Sequence, residues 1–366
     1  MKQKLFFLLS SMNIGGVEKS FLSLLSIISR DKYEIHLGLL QTKGGFMEYV
    51  PEDVHIYHID CYTKKWRIIN DPPLRIINDL LKHRKYGEAF VHLLLYIHFK
   101  LTSNRYLFYK YLLRDEPMFA ESFDVAVAYA GPSQAIDYYV CKRIKADVKV
   151  GWVHFDVTQF GIDKGMTKKL YQDYKKVFIV SGTAKERFDS LFPTLRHKTE
   201  VFYNVVSQEQ IRQLADKGET FTDDYAGKRI LTVGRLSKEK GQDVAVRALK
   251  LLLDKGLDVR WYFVGDGLLR KECEMMAKEL DIAGRVVFLG TQVNPYAYMR
   301  DCDIYMQPSR HEGFCITLAE VLCFDNPIVA TNFTGAEEQL RERENGLVCG
   351  MSAEEMADGI CALLGN

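Results

Sequence analysis

Three short stretches of the chain combine charged side chains with glycine in a pattern that suits an anionic ligand. The first is Val233-Gly234-Arg235-Leu236-Ser237-Lys238-Glu239-Lys240-Gly241, which follows an apolar run. Arg235 offers a bidentate fork and Lys240 a compact point charge, a combination suited to a diphosphate. A solvated basic loop is the competing explanation. The second stretch is His311-Glu312-Gly313-Phe314-Cys315-Ile316-Thr317-Leu318-Ala319-Glu320, with Glu312 and Glu320 eight positions apart. On one continuous helix the two carboxylates would be separated by about 12 Å, at ~1.5 Å per residue. Paired glycosidase carboxylates sit only ~5–9.5 Å apart, so hydrolysis by such a pair fits poorly. Contacts to opposite ends of an extended ligand such as a nucleotide-sugar fit better, with Gly313 freeing the loop and a helix N-terminus aimed at the anion between them. Two solvated glutamates on a surface helix are the plain alternative. The third stretch is Asn13-Ile14-Gly15-Gly16-Val17-Glu18. Its double glycine lets backbone approach a ligand at a strand-to-helix turn, but Glu18 stands where a Walker A loop needs lysine. A tight turn with no ligand explains it equally well.

These stretches need elements to position them, and the hydrophobic pattern supplies a consistent set. Short apolar runs rich in Val, Ile, Phe and Tyr fall at 4–9, 34–40, 54–59, 125–130, 148–154, 177–180 and 200–203. They are mostly apolar rather than alternating, which is how strands buried on both faces of a parallel sheet read. The stretch 207–228 is polar and has no strong strand signal. A second series then begins, with strands at 229–233, 259–264, 286–289, 304–307, 328–330 and 347–349. Helices are expected at 242–253, 268–280, 295–300, 314–324 and 353–364. Strand and helix in alternation argue α/β with parallel sheets, and two series separated near 205 argue two doubly wound domains facing across a cleft. The expected division is 1–205 and 206–366. The double-glycine turn then sits after the first strand, before a helix at 19–29. His154 ends a strand at a sheet edge facing the cleft, although a lone histidine is usually a satisfied structural residue.

Composition narrows the function classes. Three hundred and sixty-six residues, 47% hydrophobic and 27% charged, describe an ordinary globular chain of two domains. The formal charge of +1 suggests no nucleic-acid bias, so nucleic acid is not expected as a partner, but it hides a split of +8 up to residue 200 and −7 beyond it. None of the eight cysteines forms a CxxC pair, which leaves buried free thiols in a reducing compartment. The apolar run at 5–9 is too short for a signal peptide, and no run is long enough to span a membrane. Asp301-Cys302-Asp303 matches a metal-binding DxD pattern, but it precedes a strand rather than following one and reads as a chance match. His92 and His98 are six apart and do not share a helix face as metal ligands would. Residues 66–113 carry a charge of +5 and nine interleaved aromatics. That composition suits helices at an anionic membrane surface as well as helices packed on the first sheet.

Taken in order, Gly-Gly-Val-Glu-Lys, Val-Gly-Arg-Leu-x-x-x-Lys-Gly, Val-Gly-Asp-Gly, Phe-Leu-Gly, Gln-Pro-Ser-Arg-x-Glu-Gly-Phe and Glu-x7-Glu resemble family 4 of the glycosyltransferases. The resemblance runs along nearly the whole chain and is strongest from 229 to 350. It implies the GT-B fold of two Rossmann-like domains, and transfer with retained anomeric configuration and no metal or other cofactor. It implies that Arg235 and Lys240 hold the donor diphosphate, Glu320 the ribose and Glu312 the donor sugar. Gly313, Phe314 and Cys315 lie in the donor-binding loop. Gly15 and Gly16 meet the donor's phosphate side through backbone, and His154 lies near the donor sugar. Leu289 and Val293 fall where the base is usually held. The chain ends just after the helix at 353–364, where relatives commonly continue with a further helix. Together these imply a hexosyltransferase that uses a nucleotide diphosphate sugar, a UDP-sugar by family frequency. Its acceptor would be a glycan or lipid-linked saccharide at the cytoplasmic face of the membrane, as in bacterial surface polysaccharide synthesis. A nucleotide-sugar-binding protein without chemistry is the alternative. A Rossmann oxidoreductase ranks lower, because Gly265-Asp266-Gly267-Leu268-Leu269-Arg270 lacks the third glycine of the dinucleotide fingerprint.

Overall fold

The computed structural model describes residues 2–159 and 161–365. Two compact units divide the chain. One comprises 1–180 and 185–203, the other 181–184 and 204–366.

In the first unit seven strands form one sheet: β1 (Gln3–Leu9), β2 (Tyr33–Leu39), β3 (His55–His58), β4 (Ser122–Gly131), β5 (Lys145–Val153), β6 (Lys176–Ile179) and β7 (Thr199–Val201). Every pairing is parallel, in the order β3-β2-β1-β4-β5-β6-β7. The order reverses between β1 and β4, where the connections turn to opposite sides and leave a crevice at the carboxyl ends of the strands. The centre of β1 is apolar on both faces, with Phe6, Phe7, Leu8 and Leu9 all buried. Phe7, Phe21, Tyr129 and Trp152 continue this core as a chain of aromatic contacts at 4.8–5.2 Å between centroids.

The second unit carries six strands: β8 (Lys228–Val233), β9 (Val259–Val264), β10 (Val286–Gly290), β11 (Ile304–Gln307), β12 (Ile328–Thr331) and β13 (Gly346–Cys349). They too are all parallel, in the order β10-β9-β8-β11-β12-β13. Side chains alternate between two cores, one on each face. Leu231, Val233, Tyr262 and Tyr305 pack on one side, and Ile230, Trp261, Phe263 and Met306 on the other. Burial on both faces is why these strands read as continuous apolar runs.

Several expectations are corrected by the structure. The first helix spans Gly16–Ile27 rather than starting at 19, so Gly16 is its first residue and Gly15 its N-cap. The polar stretch after 204 contains a helix, Gln208–Lys217, capped by the Ser207 hydroxyl and anchored by Ile211 and Ala215. Its apolar positions are too few to stand out among charged neighbours. The helix expected at 314–324 is an α-helix only over Ile316–Val321. Glu312 therefore stands on the preceding loop, and a spacing of eight helical residues does not describe its separation from Glu320.

Candidate active site

In the second unit the sheet reverses direction between β8 and β11, and the two loops leaving these strands lie side by side. Gly241 fixes their approach. It holds φ at +73°, and a Cβ at this position would stand 1.9 Å from the Pro308 carbonyl oxygen. Only glycine fits a left-handed backbone pressed this close to another chain segment. Gly241 also caps the helix Gln242–Asp254. From the second loop, the Arg310 and His311 amides donate to the Glu239 carbonyl, and the Arg310 guanidinium grips Asp243 through both oxygens at 2.7–2.8 Å.

This seam brings Lys240 and Glu312 together. The ammonium donates to Glu312 Oε1 at 2.6 Å, and the Ser309 hydroxyl donates to the same oxygen at 2.6 Å. The pair is largely covered, with side-chain exposures of 20% and 10%. Burial works against the Lys240 charge, but the adjacent carboxylate outweighs it and holds the ammonium above its ordinary pKa. The pair rests on a polar ladder. Tyr305 donates to Gln307, and the Gln307 amide donates to the Ser309 hydroxyl. Thr331 donates to the Ser309 carbonyl. Tyr305, Gln307 and Ser309 alternate along β11 and its continuation, so one face of the strand carries the ladder to the loop. Gln307 and Ser309 open the motif Gln-Pro-Ser-Arg-x-Glu-Gly-Phe, but sequence reasoning assigned them no role and did not single out Tyr305. The signal was two polar residues, Gln307 and Ser309, closing an otherwise apolar strand.

Arg235 presents its side chain to solvent, 72% exposed, and donates to Glu239 at 3.0 Å. Glu320 is buried on the helix Ile316–Val321 and accepts from the Tyr296 hydroxyl at 2.9 Å. Gly313 is buried and Phe314 half-buried. The Cys315 thiol is pushed up to about 12, by burial first and then by Glu312, so it stays protonated. Leu289 is half-buried near the end of β10, and Val293 is exposed beyond it. Arg235, Lys240, Glu312 and Gly313 thus gather on the paired loops. Glu320 stands on the element that follows, and Leu289 and Val293 at the strand two places along the sheet.

Gly15, Gly16 and His154 belong to the first unit. The double glycine follows β1 at that sheet's own reversal point. The loop before it is braced by backbone bonds from Met12 to Lys43 and from Phe46 to Met12. His154 directly follows β5 and packs on Tyr129 at 4.5 Å between centroids. Its ring bonds the Tyr129 backbone, while burial lowers its pKa to about 3 and keeps the ring neutral. Its Nε2 is covered and meets no hydrogen-bond partner among the described residues.

Asp301-Cys302-Asp303 lies at the opposite edge of the second sheet. Asp303 precedes β11 and accepts from the Lys228 side chain and the Arg229 amide, both at 2.9 Å. Among the described residues, no three His, Cys, Asp or Glu side chains form a group able to hold a metal.

Two parallel doubly wound sheets, with a lysine–glutamate pair at the reversal point of one and a double glycine at that of the other, are the two Rossmann-like units of the GT-B fold. Residues 221–366 match the family model of glycosyl transferases group 1. The chain is 26% identical over 367 residues to N-acetylgalactosamine-N,N'-diacetylbacillosaminyl-diphospho-undecaprenol 4-alpha-N-acetylgalactosaminyltransferase of Campylobacter jejuni. That match covers 99% of this chain and 90% of the relative. Protein CapJ of Staphylococcus aureus is 26% identical over 215 residues, 56% of this chain and 53% of the relative. Among solved structures, Anabaena Alr3699/HepE in complex with UDP and glucose superposes with a TM-score of 0.66. It shares 18% identity, over all of this chain and 90% of the other. S. aureus TarM reaches 0.68 at 12% identity, covering all of this chain and 93% of the other.

Proposed function

We propose that this glycosyltransferase moves a hexose, with retained configuration and without a metal ion, from a UDP-sugar to a lipid-linked saccharide acceptor. The observation that carries this reading is the Lys240–Glu312 pair at the carboxyl ends of β8 and β11. An ammonium has three N–H donors. With one given to Glu312, Lys240 keeps two for phosphate oxygens, and the exposed Arg235 adds a bidentate fork. Glu312 in turn keeps an oxygen for a donor-sugar hydroxyl, and Glu320 offers a carboxylate to the ribose. Leu289 and Val293 flank the base. Gly15 and Gly16 contribute backbone amides on the phosphate side.

The reaction breaks the bond from the sugar's anomeric carbon to the donor phosphate and forms one from that carbon to the acceptor oxygen on the same face. The acceptor's hydroxyl proton passes to the leaving phosphate. Charge builds on the diphosphate as the bond breaks, and fixed cations there stabilise the transition state more than the ground state. His154, neutral in this environment, serves the sugar as a hydrogen-bonding group rather than as a cation.

The Campylobacter relative's name specifies a diphospho-undecaprenol acceptor. That name supports a polyprenol-diphosphate-linked saccharide as acceptor, met at the inner face of the cell membrane during surface polysaccharide synthesis. Solved complexes of the Anabaena protein with UDP support UDP as the base. A thermal-shift panel of UDP, GDP, TDP and ADP tests the donor side. UDP at 100 times its dissociation constant should stabilise the wild type by about 2.7 kcal/mol. A preference for another base would refute UDP. Donor affinity left almost unchanged in Glu312→Ala and His154→Ala would favour a mere binding protein.

A further inference from the structure

The helix Tyr86–Thr102 is apolar around nearly its whole circumference, yet only one side of it is covered. His92, Leu95, Tyr96 and Phe99 line a small cavity with Ile76 and Phe108, and Ala89 is buried. The opposite side carries Tyr86, Phe90, Leu93, Leu94, Ile97 and Leu101, all exposed, with Phe90 at 60% and Leu101 at 81%. At 100° per residue these six fall within one arc of roughly 100°, a continuous apolar stripe about 22 Å long at ~1.5 Å per residue. Leu74 and Leu81 of the adjoining helix Pro73–Lys82 are exposed as well. A soluble surface seldom leaves a contiguous apolar face of this kind open.

The charges around the stripe have one dominant sign. Arg75, Lys82, Arg84, Lys85 and Lys100 are exposed on or beside these two helices. Of the carboxylates on the pair, Glu88 is paired with Lys85 and Asp79 with Arg67. An apolar helix face rimmed by cations suits the plane of an anionic bilayer surface.

We propose that the outward face of Tyr86–Thr102, with Leu74 and Leu81, docks on an anionic lipid bilayer, its apolar side chains at the acyl boundary and its flanking cations on headgroup phosphates. This rests on the membrane-linked acceptor proposed above and names the surface that brings the enzyme to it. The test is sedimentation of the full chain with vesicles of phosphatidylglycerol and phosphatidylethanolamine, and with neutral phosphatidylcholine vesicles. The wild type should bind the anionic vesicles and lose affinity as salt rises. Phe90→Glu/Leu94→Glu should weaken binding at least tenfold. Lys82→Gln/Arg84→Gln/Lys85→Gln should weaken it by about fivefold per charge at low salt. Both variants change exposed positions, so the melting temperature and the shift produced by UDP should match wild type. The proposal is overturned if the wild type ignores anionic vesicles at low salt, or if Phe90→Glu/Leu94→Glu binds unchanged. It is also overturned if ultracentrifugation finds a dimer that this variant dissolves, since a second copy would then cover the face. Vesicle binding that depends on this face supports the docking whatever the nucleotide panel returns, so the two readings fail separately.

Discussion

Replacing Lys240 by methionine removes the cation and keeps most of the side-chain volume. Glu312 is then left 10% exposed with the Ser309 hydroxyl on the oxygen the ammonium had used. Breaking a buried pair from one side costs about 3–5 kcal/mol, because the remaining charge is uncompensated. A direct Coulomb figure agrees, at about 4 kcal/mol for unit charges 4 Å apart and an effective dielectric of ~20. Lys240 retains some solvent contact, so the lower end, about 3 kcal/mol, is expected. For a unit of this size that is a drop of about 6–12 °C in its melting transition. Glu312→Gln should destabilise to a similar extent, since burial would then act unopposed on the ammonium. Lys240→Met/Glu312→Gln should cost about 3 kcal/mol, no more than either single variant, which is a coupling energy of about 3 kcal/mol. Denaturant unfolding of the four proteins, followed through the second unit, measures the cycle. Single-mutant effects that add to within about 0.5 kcal/mol would refute the pairing. The same cycle explains why a loss of activity in Lys240→Ala alone would be ambiguous between lost chemistry and lost structure.

Arg235 offers the cleaner probe. It is largely exposed, so Arg235→Ala should change stability by no more than about 0.5 kcal/mol while abolishing the UDP-induced thermal shift; a retained shift would remove Arg235 from the diphosphate. His154 has a folded pKa of about 3, below its unfolded ~6.5. The unfolded chain therefore binds the extra proton between those values, and stability should fall as pH drops through that window, by up to about 1.4 kcal/mol per pH unit. His154→Asn should flatten this slope, as measured by denaturant titrations from pH 4 to 7. Asp137 gives the opposite slope, because burial raises its pKa to about 7. Its contribution is full below its unfolded value near 4 and is lost as pH rises toward 7, so Asp137→Asn should remove that fall. Gly241→Ala forces a side chain into a left-handed backbone against the Pro308 carbonyl. It should cost at least about 2 kcal/mol in denaturant unfolding.

Much of the fold was legible because strands buried on both faces write continuous apolar runs, and each run from 4–9 to 347–349 marks a strand in the structure. Helix ends were less legible. Gly16 begins the first helix although glycine is a poor helix former, because its neighbour Gly15 takes the extended N-cap conformation. Spacing gave a separation for Glu312 and Glu320 only on the condition that one helix carried both. The helix starts after its N-cap Cys315, and Glu312 is held on the loop by Lys240 and Ser309. The site's charged ends were readable from residue type, but the ladder joining them was not. Tyr305, Gln307 and Ser309 look like strand residues until the topology turns their common face toward Lys240. Pairing was also hidden, since nothing in Arg235 and Lys240 as letters distinguishes an exposed arginine from a covered lysine already engaged with Glu312.

The charge split gains a more specific meaning from these pairings. The second unit is the acidic one, and yet it carries the loops proposed for the diphosphate. Around those loops Arg235, Lys238, Lys240 and Arg310 face Glu239, Asp243 and Glu312, leaving a local excess of a single positive charge. A diphosphate brings at least two negative charges, so side-chain cations do not neutralise it by number. They act by position, with Arg310 spent on holding the two loops together through Asp243 and Lys240 fixed by Glu312 before any ligand arrives. Preorganised charges of this kind need no reorganisation as the leaving group develops its charge. The excess of the first unit is concentrated instead at 66–113, where exposed cations border an apolar helix face and suit a diffuse anionic surface. Donor recognition by placed charges should therefore respond weakly to salt, whereas membrane attachment by a rim of exposed cations should respond strongly.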